Sequence, residues 1–198
     1  MFVTFEGLDG SGKTTQAELL RTRLEADGED VVATREPGGT ELGERVRDLV
    51  LHGDHVFPWA EALLYAASRA QHVEEVIRPA LARGAVVICD RYLDSSVAYQ
   101  GGARGLGVDR VLELNLTAVD GLLPDATYLL DVPPEQAVAR LARTRDRIER
   151  EDDEFHARAA AAYRELAERY PERIVRLDGS RPADELAEEI YGALRART

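Results

Sequence analysis

The chain is 198 residues long and 44% apolar, enough for one domain with a full core. Charged residues make up 31% and are interleaved with apolar ones, which argues against disorder, and a formal net charge of -12 argues against a nucleic-acid partner. A single cysteine (Cys89), no secretory signal in MFVTFEG and no apolar run near the roughly 18 residues of a membrane span predict an acidic, soluble, cytoplasmic protein with no membrane partner.

Phe2–Phe5 is the first predicted strand, short and apolar. It runs into Gly7-Leu8-Asp9-Gly10-Ser11-Gly12-Lys13-Thr14, a match to G-x-x-x-x-G-K-[ST]. An amphipathic helix follows over Lys13–Ala26, with Leu19, Leu20 and Leu24 on one face and Gly28 as its stop. Each part of the motif suits a phosphate. Glycines let the backbone turn its N–H groups inward, and the helix start adds its positive dipole end. Lys13 supplies a compact charge, and the Thr14 hydroxyl can ligate Mg²⁺. Lys13 is also the only lysine among 25 basic residues. The stretch predicts a nucleoside triphosphate site, ATP with Mg²⁺.

The second strand, Asp30–Thr34, leads into Thr34-Arg35-Glu36-Pro37-Gly38-Gly39-Thr40, a turn that re-aims the chain across the top of a sheet and points Arg35 into its crevice. Helices are predicted over Leu42–Leu51 and Trp59–Ala82, the latter kinked or restarted at Pro79. His52 and His55 between them have no neighbouring ligand set and read as loop residues. The third strand, Ala85–Cys89, buries Cys89 as packing and ends in Asp90-Arg91-Tyr92. An acid there is placed to hold the metal, and the adjacent arginine suits a second phosphate. Helix Val108–Ala118, strand Ala126–Asp131, helices Pro134–Arg143 and Glu154–Tyr170, strand Ile174–Leu177 and helix Pro182–Arg195 complete the chain. Strands alternating with helices predict a three-layer α/β/α P-loop fold, a five-stranded parallel sheet with helices on both faces, in one domain over residues 1–198. Arg140–Asp153, RLARTRDRIEREDD, reads either as a solvated helix end or as a flap.

A P-loop alone leaves a switch GTPase, a motor ATPase and a small-molecule kinase open. Taken together, EGLDGSGKTT, TREPGGT, YAASRAQH, DRYLDSSVAYQGG and the arginine-rich flap resemble the bacterial thymidylate kinase family, in its order and spacing, from residue 2 to about residue 180. That resemblance implies phosphoryl transfer from ATP to dTMP, with Gly7, Leu8, Asp9, Gly10, Ser11, Gly12, Lys13, Thr14 and Thr15 around ATP and Thr14 with Asp90 at the metal. It implies Arg35 and Arg91 on the dTMP phosphate, Arg69 at the thymine edge and Tyr65, more often Phe in the family, stacked on the base. Ser96 matches a position near the base and Tyr99 one near the sugar, where it would crowd a ribose 2′-hydroxyl. Asp9 matches one near the 3′-hydroxyl, and Gln100 lies in the neighbourhood. Because no arginine lies between Asp9 and Gly12, the family pattern puts the catalytic arginine in the flap, with Arg143 and Arg147 first among Arg143, Arg145, Arg147 and Arg150; Lys13 and Arg91 complete the catalytic set. It also implies a homodimer, through the helices around Trp59–Ala82 and Val108–Ala118.

Overall fold

Neighbouring residues of a strand point to opposite faces, so a strand that is apolar throughout must be covered on both sides. The chain meets that demand in a computed structural model that describes residues 1–141 and 146–197. It runs β1 (Phe2–Glu6), α1 (Lys13–Ala26), β2 (Val31–Arg35), α2 (Glu41–His52), α3 (Pro58–His72), a π-helical stretch (Val73–Ile77), α4 (Arg78–Ala82), β3 (Val86–Asp90), α5 (Leu93–Ser96), a second π-helical stretch (Val97–Ala103), α6 (Val108–Ala118), β4 (Ala126–Asp131), α7 (Pro134–Ala139), α8 (Asp153–Arg169), β5 (Ile174–Asp178) and α9 (Ala183–Arg195). The strands form one parallel sheet in the order β2-β3-β1-β4-β5.

The three central strands are buried along almost their whole length. Phe2, Val87, Cys89 and Leu129 face a core shared with α2, α6 and α8. Val3, Phe5, Ile88, Tyr128 and Leu130 face the opposite core, closed by Leu20 and Leu24 of α1 and Leu186, Ile190 and Leu194 of α9. The five-stranded parallel sheet with helices on both faces is therefore as the sequence predicts. Among the described residues no helix is long and apolar enough to cross a membrane.

The site is positioned by the strand order. The chain adds β3 on one side of β1 and β4 on the other, and this reversal leaves a crevice beyond the carboxyl end of β1. The loops after β1, β2 and β3 all open there. These strands run one residue past the boundaries read from sequence, to Glu6, Arg35 and Asp90. Polar side chains look like strand ends, but pairing carries through them: Arg35 and Phe5 are both in register with Asp90, and Glu36 and Arg91 donate backbone bonds to Asp90 O and Phe5 O at 2.9 Å.

Two helical regions differ from the sequence reading. The long helix predicted to Ala82 widens into a π-helical stretch before Pro79, whose ring crowds the carbonyl four residues back in a regular ladder. The segment after Arg91, given no helix from sequence, is helical from Leu93 to Ala103. Its glycines serve packing: a Cβ on Gly102 would lie 2.6 Å from Ala162 Cβ of α8. Helix α7 ends at Ala139 rather than Arg143; Arg143 and Arg145 lie outside the described residues. Gly102→Ala should therefore push α8 off the 97–103 segment and lower stability by about 1–3 kcal/mol, read from the urea midpoint; an unchanged midpoint would mean α8 yields without cost.

Candidate active site

The loop between β1 and α1 has the backbone of an anion cradle. Gly10 (φ 83°) and Gly12 (φ 100°) lie in the left-handed region, and a Cβ at Gly10 would sit 2.2 Å from Ala137 O. Gly12 caps α1, so the amides at its first turn face the crevice. Lys13 is buried and folded across the loop, its Nζ donating to Leu8 O at 2.7 Å. Burial lowers its ammonium to about pKa 8, with Arg91 adding to the effect and Asp9, Asp90 and Glu6 opposing it. Ser11 Oγ is buried inside the loop, 2.9 Å from where a Cβ on Gly7 would lie, and finds no hydrogen-bond partner among the described residues. Thr14 Oγ1 donates to Asp90 Oδ2, which brings the two predicted metal ligands together.

Arg91 follows the last residue of β3 at φ 71°, an uncommon conformation for a non-glycine residue and one that clusters at functional sites. Its guanidinium donates to Gly7 O and Ser95 Oγ at 3.0 Å, to Tyr163 OH at 3.2 Å and to Asp9 Oδ1. Tyr99 OH donates to the other Asp9 oxygen at 3.1 Å. Burial would raise the Asp9 carboxyl, but Arg91 and Lys13 outweigh it and hold the group well below the usual carboxylate range. Behind this layer Glu6 is fully buried and accepts from Tyr92 N, Ser95 and Tyr163 OH. Burial, then the charge of Asp94, push its carboxyl up to about 7.

Two cavities meet at Arg91. A cleft of about 1020 Å³ runs along the P-loop and takes in Arg35, Asp90, Arg140 and Arg181. A narrower pocket of about 80 Å³ gathers Asp9, Tyr65, Arg69, Ser96, Tyr99 and Gln100, six residues predicted for one ligand. Arg69 is buried and immobile: it donates to Glu36 at 2.6 Å, to Ser96 Oγ at 3.1 Å, to Tyr92 O at 3.0 Å and to Asn115 Oδ1. Arg35 lines the larger cleft, but its guanidinium rests on Glu44 at 3.0 Å. Arg147 lines neither cavity; Glu61 and Val50 O hold it at 2.6 and 2.8 Å.

Sequence reasoning passed over several lining groups. Arg47 of α2 borders both cavities and donates to Pro37 O at 3.0 Å. Glu36 also borders both, while Arg140 and Arg181 stand by the P-loop. Nothing distinguishes these arginines in a chain so rich in them; Glu36, inside TREPGGT, was within reach of the motif. The carboxylate of Glu36, the ring of His72 and the thiol of Cys89 offer ligand atoms within 4.8 Å of one another. A cation there would compete with Arg69 for Glu36, and both His72 nitrogens are bonded, to Glu36 at 2.9 Å and to Thr34 at 2.7 Å. The trio is an internal polar network. Burial pushes the Cys89 thiol up, in keeping with a packing role.

A P-loop at the reversal point of a parallel sheet, facing arginines and opening into a second enclosed pocket, defines a P-loop kinase of small molecules. The thymidylate kinase family profile matches residues 5–190. The thymidylate kinase of Clavibacter michiganensis is 56% identical, over 96% of this chain and 92% of that one, and the thymidylate kinase of Leifsonia xyli is 57% identical, over 100% and 95%. The crystal structure of thymidylate kinase from Ehrlichia chaffeensis superposes with a TM-score of 0.82 at 34% identity, covering 98% of both chains. The chain belongs to the thymidylate kinase family.

The lowered pKa of Lys13 carries a pH signature. On the reading of Lys13 as a triphosphate ligand, binding restores the proton, so above about pH 8 it takes one up and affinity should fall by up to about tenfold per pH unit. Calorimetry at pH 9 in buffers of different ionisation heat should find close to one proton absorbed by the wild type and none by Lys13→Arg; equal uptake by both would refute the assignment.

Proposed function

We propose that the protein transfers the γ-phosphoryl group of ATP to dTMP, giving ADP and dTDP, a step toward dTTP for DNA replication. The observation that carries this reading is Arg91, a buried guanidinium at the junction of the two cavities. A cation there suits an acceptor that carries its own phosphate. A nucleoside acceptor would need a base to take a hydroxyl proton. The carboxylates that line the narrower pocket are already engaged, Asp9 by Arg91 and Tyr99, Glu36 by Arg69 and His72, and Asp146 by the amides of Ile148 and Glu149, while Glu6 borders neither cavity.

A phosphate oxygen of dTMP is already anionic near neutral pH, so the chemistry reduces to alignment and neutralisation of charge. Gly7 to Thr15 cradle ATP, with Lys13 on its phosphates. Arg91 and Arg35 hold the phosphate of dTMP. Arg35 is recruitable because its pair with Glu44 is half exposed on both sides, an arrangement worth about 0–1 kcal/mol. Tyr65 stacks on the thymine, whose polar edge meets Arg69, Ser96 and Gln100. Tyr99 and Asp9 flank the deoxyribose. Thr14 and Asp90 offer oxygen ligands, the donor set a hard cation takes, and Mg²⁺ held there would supply charge neutralisation between the phosphates. The arginine-rich segment at about 140–153 acts as a lid of this single domain over residues 1–198, and within it Arg143 is the candidate for the transferred group.

Leu49, Phe57 and Leu63 are more than half exposed, and Trp59 stands beside them on α3. This apolar set supports a homodimer through α2 and α3. A buried free cysteine suits a cytoplasmic setting.

A coupled ADP-release assay across the nucleoside monophosphates, with Mg²⁺, should single out dTMP; no turnover with dTMP, or faster turnover with thymidine, would overturn the reading. Leu63→Glu should shift the protein from dimer to monomer in sedimentation velocity, and a wild type that sediments as a monomer would sink the dimer.

A further inference from the structure

Glu61 stands in the first turn of α3 and is fully buried. Four donors meet its carboxylate. Oε1 accepts from Gln100 Nε2 at 2.8 Å and from Arg104 Nε at 3.2 Å; Oε2 accepts from Arg104 at 3.2 Å and from Arg147 at 2.6 Å. The charges balance, because Arg104 also pairs with Glu151 at 2.6 Å. A carboxylate cannot donate, so the Gln100 amide must turn its NH₂ toward Glu61 and its carbonyl away.

The two sides of this cluster belong to the narrower pocket. Gln100 lines it, and so do Asp146 and Ile148, the residues on either side of Arg147. Arg147 is further fixed by its backbone N–H to Leu51 O at 3.0 Å and its Nε to Val50 O at 2.8 Å. The stretch 146–148 is thus fastened to the end of α2 and to α3, and it forms one wall of the pocket. The π-helical stretch that carries Gln100 forms another. Both walls are tied to the same carboxylate, which itself touches no part of the cavity.

We propose that Glu61 is a positioning residue for the acceptor pocket: by clamping Arg147 and Gln100 to one point, it sets the spacing between the Asp146–Ile148 wall and the Gln100 amide. The proposal rests on the reading of that pocket as the dTMP site. Arg147 then serves acceptor binding through Glu61 rather than touching the transferred phosphoryl group.

Steady-state kinetics of the wild type, Glu61→Gln, Arg147→Met and the double variant test it, with thermal unfolding as the control for folding. Each single variant should raise KM for dTMP about tenfold while kcat and KM for ATP move less than about twofold, the pattern of a lost binding contribution. The double variant should be no worse than Glu61→Gln alone, because that change already removes the Glu61–Arg147 contact through which Arg147 acts. If Glu61→Gln does not fold, Arg147→Met carries the test, since it leaves Glu61 paired with Arg104. A fall in kcat with KM for dTMP unchanged in Arg147→Met, or additive effects in the double variant, would overturn the proposal. A wild type that does not turn over dTMP would instead overturn the substrate reading, and the proposal with it.

Discussion

Arg91 places a guanidinium in the crevice with only 15% of its side chain exposed, and a cation so placed persists only where polar groups replace its lost water. It finds them in three parts of the chain: Gly7 and Asp9 from the loop after β1, Ser95 from α5 and Tyr163 from α8. Ser95 and Tyr163 in turn serve the buried carboxylate of Glu6 at the end of β1. The ends of β1 and β3 are therefore tied by a polar network as well as by the ladder. On the proposed reading the reacting phosphates meet between those two ends, so the network sets the spacing there. Its donors are held in place by protein contacts, and donors so held are where electrostatic stabilisation gains its strength.

The arginines of the crevice fall into two physical kinds. Arg69 is enclosed, with four of its five N–H groups already committed to protein acceptors. Those contacts fix the shape of the pocket wall that it forms. Arg35 is exposed and held by one carboxylate, a pair worth about 0–1 kcal/mol. Arg91 lies between these extremes: its protein contacts orient it, and its side chain still borders both cavities. Residues of the same type are thus set apart by how deeply each is buried and how many partners hold it.

Much of the fold was legible because its signals are local. The apolar runs of β1, β3 and β4 require cover on both faces, and the P-loop is a contiguous string whose glycines and lysine each have a stated use. The pocket residues became legible through the whole set of motifs, since Tyr65, Arg69 and Tyr99 taken singly are ordinary core candidates. What escaped was non-local. Val97 to Ala103 packs against α8 at Gly102, a contact no window around that segment contains. Nothing in the sequence around Glu61 sets it apart from a solvent-facing acid near a helix start. Its burial depends on Arg104 and Arg147, far away in the chain. Arg147, which the family pattern offers beside Arg143 for the transferred phosphoryl group, is held by Glu61 and Val50 O, and a flap rich in arginine does not say which one is anchored.

Lys13 has a consequence outside catalysis. Every other basic side chain apart from four histidines is a guanidinium, inert to mild acylating and carbamoylating reagents near neutral pH. The chain therefore has a single side-chain amine, and burial keeps part of it in the unprotonated, nucleophilic form at slightly alkaline pH. An amine-selective probe shaped to enter the cleft would find one address in the folded protein besides the N-terminus. The compositional bias that removed lysine everywhere else has left the nucleotide cradle chemically bar-coded.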